Sequence, residues 1–464
     1  MTTPSTAAAH SQPAAIAPGL NREAVVALSE RKVEPDWLRE SRLAGWTAFE
    51  DLPLPRWTKG IAQWWSTDVS ELNLSEVKPF VAANRGTDAK QNLAAMAADT
   101  ENAGGLLVQV NSEVAYLNAP ESLKAQGVIF CSLEDAVRDH PDIVQKYLHK
   151  LVTPTTDKFA ALHTAFWSGG VFVYVPEGVN VELPLHVVYR LDEPGAAALG
   201  HTLIVTERGS NVRYIEEFLS ADGETDALHA GVVEVVVGDE AKVEFTSLQE
   251  WGRNVYSFAT RYATVGAKGL MHWVIGEVGG KLLKAHAETQ LIGPGADTLT
   301  RGICFTDTDQ HFDITSNTHH AVPDTHGDIL FKGALRDVSR LGFEGVIKVD
   351  HLAQRTDSYL TMNTLFLSEG ARSNSIPSLE ILADDVKCSH GATVGMIDET
   401  QVFYLMSRGI DRITAEKLIV AGFFEPVIEE MPLESVRQRL RDVIEQKVGM
   451  PRQSKQEQRP GTAG

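Results

Sequence analysis

Residues 232–246 read V-V-E-V-V-V-G-D-E-A-K-V-E-F-T, and this stretch decides how the chain folds. Two runs rich in Val, with Phe and interspersed Glu, flank Gly238-Asp239-Glu240-Ala241. Each run is about one strand long, and the four residues between them make a turn. Residues 171–175 (V-F-V-Y-V) repeat the pattern, and few stretches between Gly169 and Ile381 have helical period and length. The turn itself recurs with its second residue at 178, 209, 240, 266, 295 and 370, that is 31, 31, 26, 29 and then 75 residues apart. Repeats in this range mark stacked coils or blades. Their irregular length argues against a propeller and for a parallel β-solenoid whose turns tolerate insertions, with a large sandwich or barrel as the alternative.

Both flanks read differently. Asn21 is placed to cap a helix whose apolar face begins with Val25, Val26 and Leu28, and a second helix starts near Asp36. The tract around Pro53, Pro55, Trp57, Trp64 and Trp65 reads as loop with buried aromatics. A strand pair is expected between Leu106 and Leu117, turning at Asn111-Ser112. Ser132 with Asp135 reads as a capping pair, and Pro141 opens a helix reaching about Leu151. Past Thr400 helical period returns, with Thr414 as a cap, an end near Pro426, and a further helix from Leu433 to Val448. Such helices commonly cover the open end of a solenoid. The domain plan is therefore a disordered tail (1–19), a mostly helical region (20–168), the solenoid (169–397), C-terminal helices (398–450) and a polar tail (451–464).

Composition narrows the function classes. A formal charge of −20 over 464 residues opposes general nucleic-acid binding, which needs basic surface. No apolar run approaches the roughly 18 residues of a membrane helix. Residues 1–19 have neither the basic start of a secretory signal nor the arginines of a mitochondrial presequence, so a cytoplasmic protein is expected. Cys131, Cys304 and Cys388 are too few and too far apart for a disulfide framework, which suggests a reducing compartment. They also cannot supply four thiolates to an iron–sulfur cluster. There is no G-x-x-x-x-G-K-[ST] loop, so no nucleotide is expected to bind this chain, and no G-x-S-x-G elbow or zincin helix is present.

Residues 384–395, D-D-V-K-C-S-H-G-A-T-V-G, carry the most chemistry. Cys388 and His390 stand two apart, so a strand would point both to one face. Thiol plus imidazole suits iron, copper or zinc, and equally a nucleophile with its base. A Cys packed as a small apolar group beside a satisfied His is the plain alternative. His311, His319, His320, His326 and His351 form a second concentration, but adjacent His319 and His320 would face opposite sides of a strand. Asp307, Asp309 and Asp313 are the acids a polysaccharide-acting β-helix enzyme would use. A purely structural solenoid is a third reading.

The segment and its surroundings resemble the SufB/SufD family of iron–sulfur cluster assembly proteins. The resemblance rests on residues 331–333 (FKG), 343–345 (FEG), 353–357 (AQRTD), 377–381 (PSLEI), the segment above, 403–405 (FYL) and 407–410 (SRGI). Residues 158–162 (KFAAL) and 172–176 (FVYVP) also fit. Two positions favour the SufD branch over a SufB-like scaffold. Thr356 stands where SufB has its cysteine before Asp-Ser, and Ser389-His390-Gly391 replaces SufB's Glu-His-Glu. The resemblance implies a right-handed parallel β-helix that is not itself an enzyme. It also implies pairing with SufB and docking of the SufC ATPase on the C-terminal helices, and it leaves open whether the chain alone forms a homodimer. His390, with Cys388 as the weaker candidate, would then ligate a transient cluster or iron at the SufB interface.

Overall fold

The computed structural model describes residues 19–55, 57–59, 65–83 and 103–451. The expected tail up to residue 18, Trp64, the side chains of Trp57 and Trp65, and the tail after Pro451 lie outside the described residues.

From Leu185–Leu191 onward the strands alternate between two sheets, one strand per sheet in each rung. One ten-stranded sheet ends on Val386–Met396 and the other, with one short strand beside it, ends on Arg372–Ile381. Within the coil every neighbouring pair is parallel, giving a solenoid of about eight turns. Both sheets reach back before residue 169. Gly105–Val110 joins the first sheet and hairpins into Glu113–Asn118 through Asn111, while Ile129–Ser132 pairs antiparallel with Val171–Val175.

Strand alternation stacks like positions from rung to rung. One inward column runs Tyr214, Phe245, Trp273, Thr300, Ile329, Leu360. All six are buried, and the first three rings pack at 5.0 and 4.8 Å between centroids, the first pair tilted and the second edge-to-face. Burying each large apolar member stabilises the fold by about 1.5–3 kcal/mol. The interior also holds charge: Arg261 lies 3.1 Å from Glu277, and Ser247 donates to Glu216 at 3.2 Å, all four buried.

The repeated turn is one corner of the coil. Gly178, Gly209, Glu240, Lys268, Gly295, Asp324 and Arg355 all have positive φ and follow each other at 27 to 31 residues. The apparent gap of 75 arises because Asp324 and Arg355 adopt this conformation without glycine. Their side chains pair across the rungs, Arg355 Nε and Nη2 donating to Asp324 at 2.5 and 2.6 Å. Gly370 sits at the opposite corner, between Thr356–Phe366 and Arg372–Ile381.

Helices cover the outer face of each sheet. Arg22–Arg31, capped by Asn21, packs with Asp36–Asp51 and Lys158–Phe166 on Leu228, Ala230, Tyr256 and Phe258. Ser132 accepts from the Asp135 N–H as expected, and Pro141 opens the next helix. That helix stops at Tyr147 rather than near Leu151, because His149 turns left-handed (φ 56°) and Glu234 takes the following N–H groups.

At the C-terminus, Glu399–Ser407, Arg412–Ile428 and Glu434–Gly449 form the second layer. Asp411, not Thr414, is the N-cap; Thr414 instead donates its backbone N–H and its hydroxyl to Asp411. The helix passes Pro426 and ends at Ile428, since one lost hydrogen bond is outweighed by complete burial of Val427 and Ile428. Nor do these helices cap the open end. Their apolar stripe, including Val420, Phe424, Leu440 and Ile444, packs sideways on Ile215, Leu248, Val274, Ile303 and Phe305. Among the described residues nothing covers the last rung, which ends in a pair of edge strands.

Candidate functional site at the open rung

Cys388 and His390 lie on Val386–Met396, the edge strand of that last rung. Cys388 is paired in register with Ser358 and His390 with Leu360. Both therefore continue inward-facing columns. Leu360 is fully buried, yet His390, the next member of its column, is exposed because no further rung stacks on it. Cys388 is half-buried against the last core cluster. Burial first, and then the Asp357 carboxylate, push its thiol above the ordinary value, with the Ser358 N–H pulling the other way. A metal would have to displace that proton.

The pair supplies a soft and a borderline ligand on one face, but only two. Among the described residues no third His, Cys, Asp or Glu closes with them into a three-ligand group. Cys304 is buried and its thiol, 3.7 Å from the Lys332 carbonyl, is pushed far up by burial. Cys131 is raised to about 12, chiefly by burial. All three thiols are unpaired. Around the open rung Tyr359, Val394, Met396, Phe403 and Tyr404 expose apolar surface, Phe403 to 71%.

The other candidates are occupied structurally. Asp307 is buried between Lys447 at 2.7 Å and Arg253 at 2.6 Å. Burial alone would raise its carboxyl, but Lys447 and then Arg253 outweigh it and hold it below the ordinary range. Asp313 accepts from Thr67 at 2.6 Å and Lys284 at 2.9 Å, and Asp309 is an exposed turn residue. These acids do not line a common groove for catalysis. His319 bonds outward to Asp350 at 2.9 Å while His320 is buried against Thr325, so they do face opposite ways. His311 contacts Thr67, His326 bonds Asp297, and His351 is exposed.

What sequence reading missed is a buried group outside the solenoid wall: His149, His163, His201 and Glu234. They are up to 85 residues apart, so no spacing motif announces them.

Residues 32–187 match the family described as "SufBD protein N-terminal region", and residues 189–423 match "SUF system FeS cluster assembly, SufBD core domain". The chain belongs to the SufBD family. Over 428 residues, 90% of each chain, it is 33% identical to the iron–sulfur cluster assembly protein SufB of Bacillus subtilis. It is 32% identical, with the same coverage, to SufBD family proteins of Staphylococcus haemolyticus and Staphylococcus epidermidis. As a SufBD protein the chain is part of iron–sulfur cluster assembly, and its parallel β-solenoid is the core domain matched. Among the described residues no helix is long and apolar enough to cross a membrane.

Proposed function

We propose that this SufBD protein is a SufD-like, non-catalytic subunit that offers its open last rung to a SufB-like partner. The observation that carries the reading is His390 on an inward column with nothing stacked on it among the described residues, on an edge strand whose N–H and C=O groups can accept another strand. A second solenoid laid on that edge would bury Val394, Met396 and Tyr359 and bring its own ligands to Cys388 and His390. The cargo is iron or a nascent cluster, held across the interface because only two ligands stand there among the described residues.

The SufD-like choice rests on particular residues, beside a sequence relationship to a SufB. Thr356 is buried and its hydroxyl donates to the Ala353 carbonyl at 2.8 Å, a packing role with no thiol for accepting sulfur. Ser389 and Gly391 carry no carboxylates where a Glu-His-Glu segment would place them. Exposed Phe403, Tyr404, Ile413 and Leu418 on the C-terminal helices are the surface proposed for SufC. Nucleotide-driven closure of two SufC subunits would then shift the two solenoids and open the ligand pair.

The test is coexpression with SufB and SufC, recording complex yield and cluster delivery in parallel. His390→Ala should leave the complex assembled and abolish delivery. Normal delivery by that variant would make His390 structural and sink the site assignment. Failure of the wild-type chain to co-purify with SufB would sink the subunit reading.

A further inference from the structure

The buried histidines on the outer wall have a chemistry of their own. His201 begins the strand His201–Thr206 and Glu234 lies two residues beyond its register partner Val232, so both point from one sheet face toward the helical layer. His149 comes from the loop after Pro141–Tyr147, and His163 from the helix Lys158–Phe166. The ligating atoms of His149, His201 and Glu234 all lie within 4.8 Å of one another.

Hydrogen bonding sets which nitrogens are bare. The Ala230 carbonyl, 2.8 Å from His163 Nδ1, can only accept, so His163 carries its proton there. With its proton on Nδ1, His163 presents Nε2 as the acceptor for His201 Nδ1 at 3.0 Å. His201 is then left with a lone pair on Nε2. That lone pair sits 3.1 Å from Glu234 Oε2, yet no hydrogen bond forms between them. Two acceptors facing each other at this distance require something positive between or beside them. Two ligands at about 2.0–2.1 Å from one tetrahedral ion stand roughly 3.4 Å apart, close to the separation seen. Independently, both ring nitrogens of His149 are buried without a hydrogen-bond partner among the described residues, which is costly unless something binds them.

We propose that His149, His201 and Glu234 hold one divalent first-row transition-metal ion, with His163 orienting His201 from behind. Two imidazoles and a carboxylate suit zinc or ferrous iron, and the His163–Ala230 relay is the kind of outer support such ligands have. The ion would pin the 149–152 loop to the solenoid wall, at a place remote in sequence from Cys388 and His390. Nothing in this inference depends on the subunit role proposed above.

The full-length chain, stripped with a chelator, is titrated with Co²⁺ by visible absorption and with Zn²⁺ by mass-spectrometric stoichiometry. One equivalent of each should bind, with cobalt showing tetrahedral-type bands. His149→Ala should weaken that equivalent by about 100-fold or more. Because the His149 ring makes no hydrogen bond, the stripped variant should keep the wild-type far-UV spectrum, separating ligand loss from misfolding. His390→Ala should bind the equivalent normally. The proposal is overturned if the wild type takes up no ion, which would leave a shared proton between Glu234 and His201. It is equally overturned if His149→Ala binds as tightly as wild type, or if His390→Ala abolishes uptake.

Discussion

Replacing Lys447 by Met tests how the C-terminal layer is fastened to the solenoid. Lys447 Nζ is buried and donates to Asp307 at 2.7 Å, Gln310 Oε1 at 3.0 Å and the Phe305 carbonyl at 3.2 Å. Met keeps the length and apolar stem but strands Asp307 in a dry site. Breaking a buried pair from one side costs about 3–5 kcal/mol. Arg253 still lies 2.6 Å from Asp307 and is itself a third exposed, which places the cost at the low end, about 3 kcal/mol. At 1.36 kcal/mol per tenfold, amide protection in the helix Glu434–Gly449 should fall about 150-fold by hydrogen exchange. Adding Asp307→Asn should restore more than half of the loss, since the stranded charge is gone. The sign with pH follows from Asp307 being held below its ordinary 3.8. Its contribution is full above that value and fades as the pH falls through the lower, folded-state one, so the variant and wild type should converge in acid. Protection within threefold of wild type at pH 7 would refute the idea that this buried lysine holds the layer.

Four further outcomes follow. Glu216, raised to about 7 mainly by burial, binds its proton more tightly folded than unfolded, so stability should fall as the pH rises from 4.5 to 7; Glu216→Gln should lessen that slope in urea titrations, leaving the share of Glu250, also raised to about 7, and gain up to about 3 kcal/mol at pH 8. Truncation at residue 412 removes the last two helices and uncovers the solenoid side chains they bury (Ile215, Leu248, Val274, Ile303, Phe305), on the order of 8–15 kcal/mol of burial, so the remaining chain should be insoluble or unfolded rather than a stable solenoid. Val394→Lys, at a position half exposed on the open edge, should change the denaturation midpoint by less than about 0.5 kcal/mol but prevent co-purification with a SufB-like partner. Cys388→Ser should reduce cluster delivery less than His390→Ala, because the Cys388 thiol is held protonated and half-buried.

Much of the wall was legible beforehand because a strand announces itself locally. Val232–Val237 and Lys242–Thr246 alternate, turn and repeat within one rung, and the parallel register then follows from stacking like on like. Cys388 and His390 could be placed on one face from their spacing alone. Other features left no local mark. Asp324 and Arg355 occupy a glycine-like corner because their side chains pair across rungs 31 residues apart. The early end of the helix at Tyr147 is set by Glu234, 85 residues away from His149.

By itself, then, the chain's sequence determined the repeated strand-and-turn unit, the two helical flanks, and the pairing of a thiol with an imidazole, because all of these depend on neighbours within a few residues. Tertiary structure alone decided that the C-terminal helices lie along a sheet face, leaving the last rung bare. It alone decided that Asp307 and Asp313 are consumed by buried lysines, and that four scattered residues meet behind the wall. Each of these outcomes depends on which buried surfaces and charges compete for the same partner, and that competition exists only once the coil has formed.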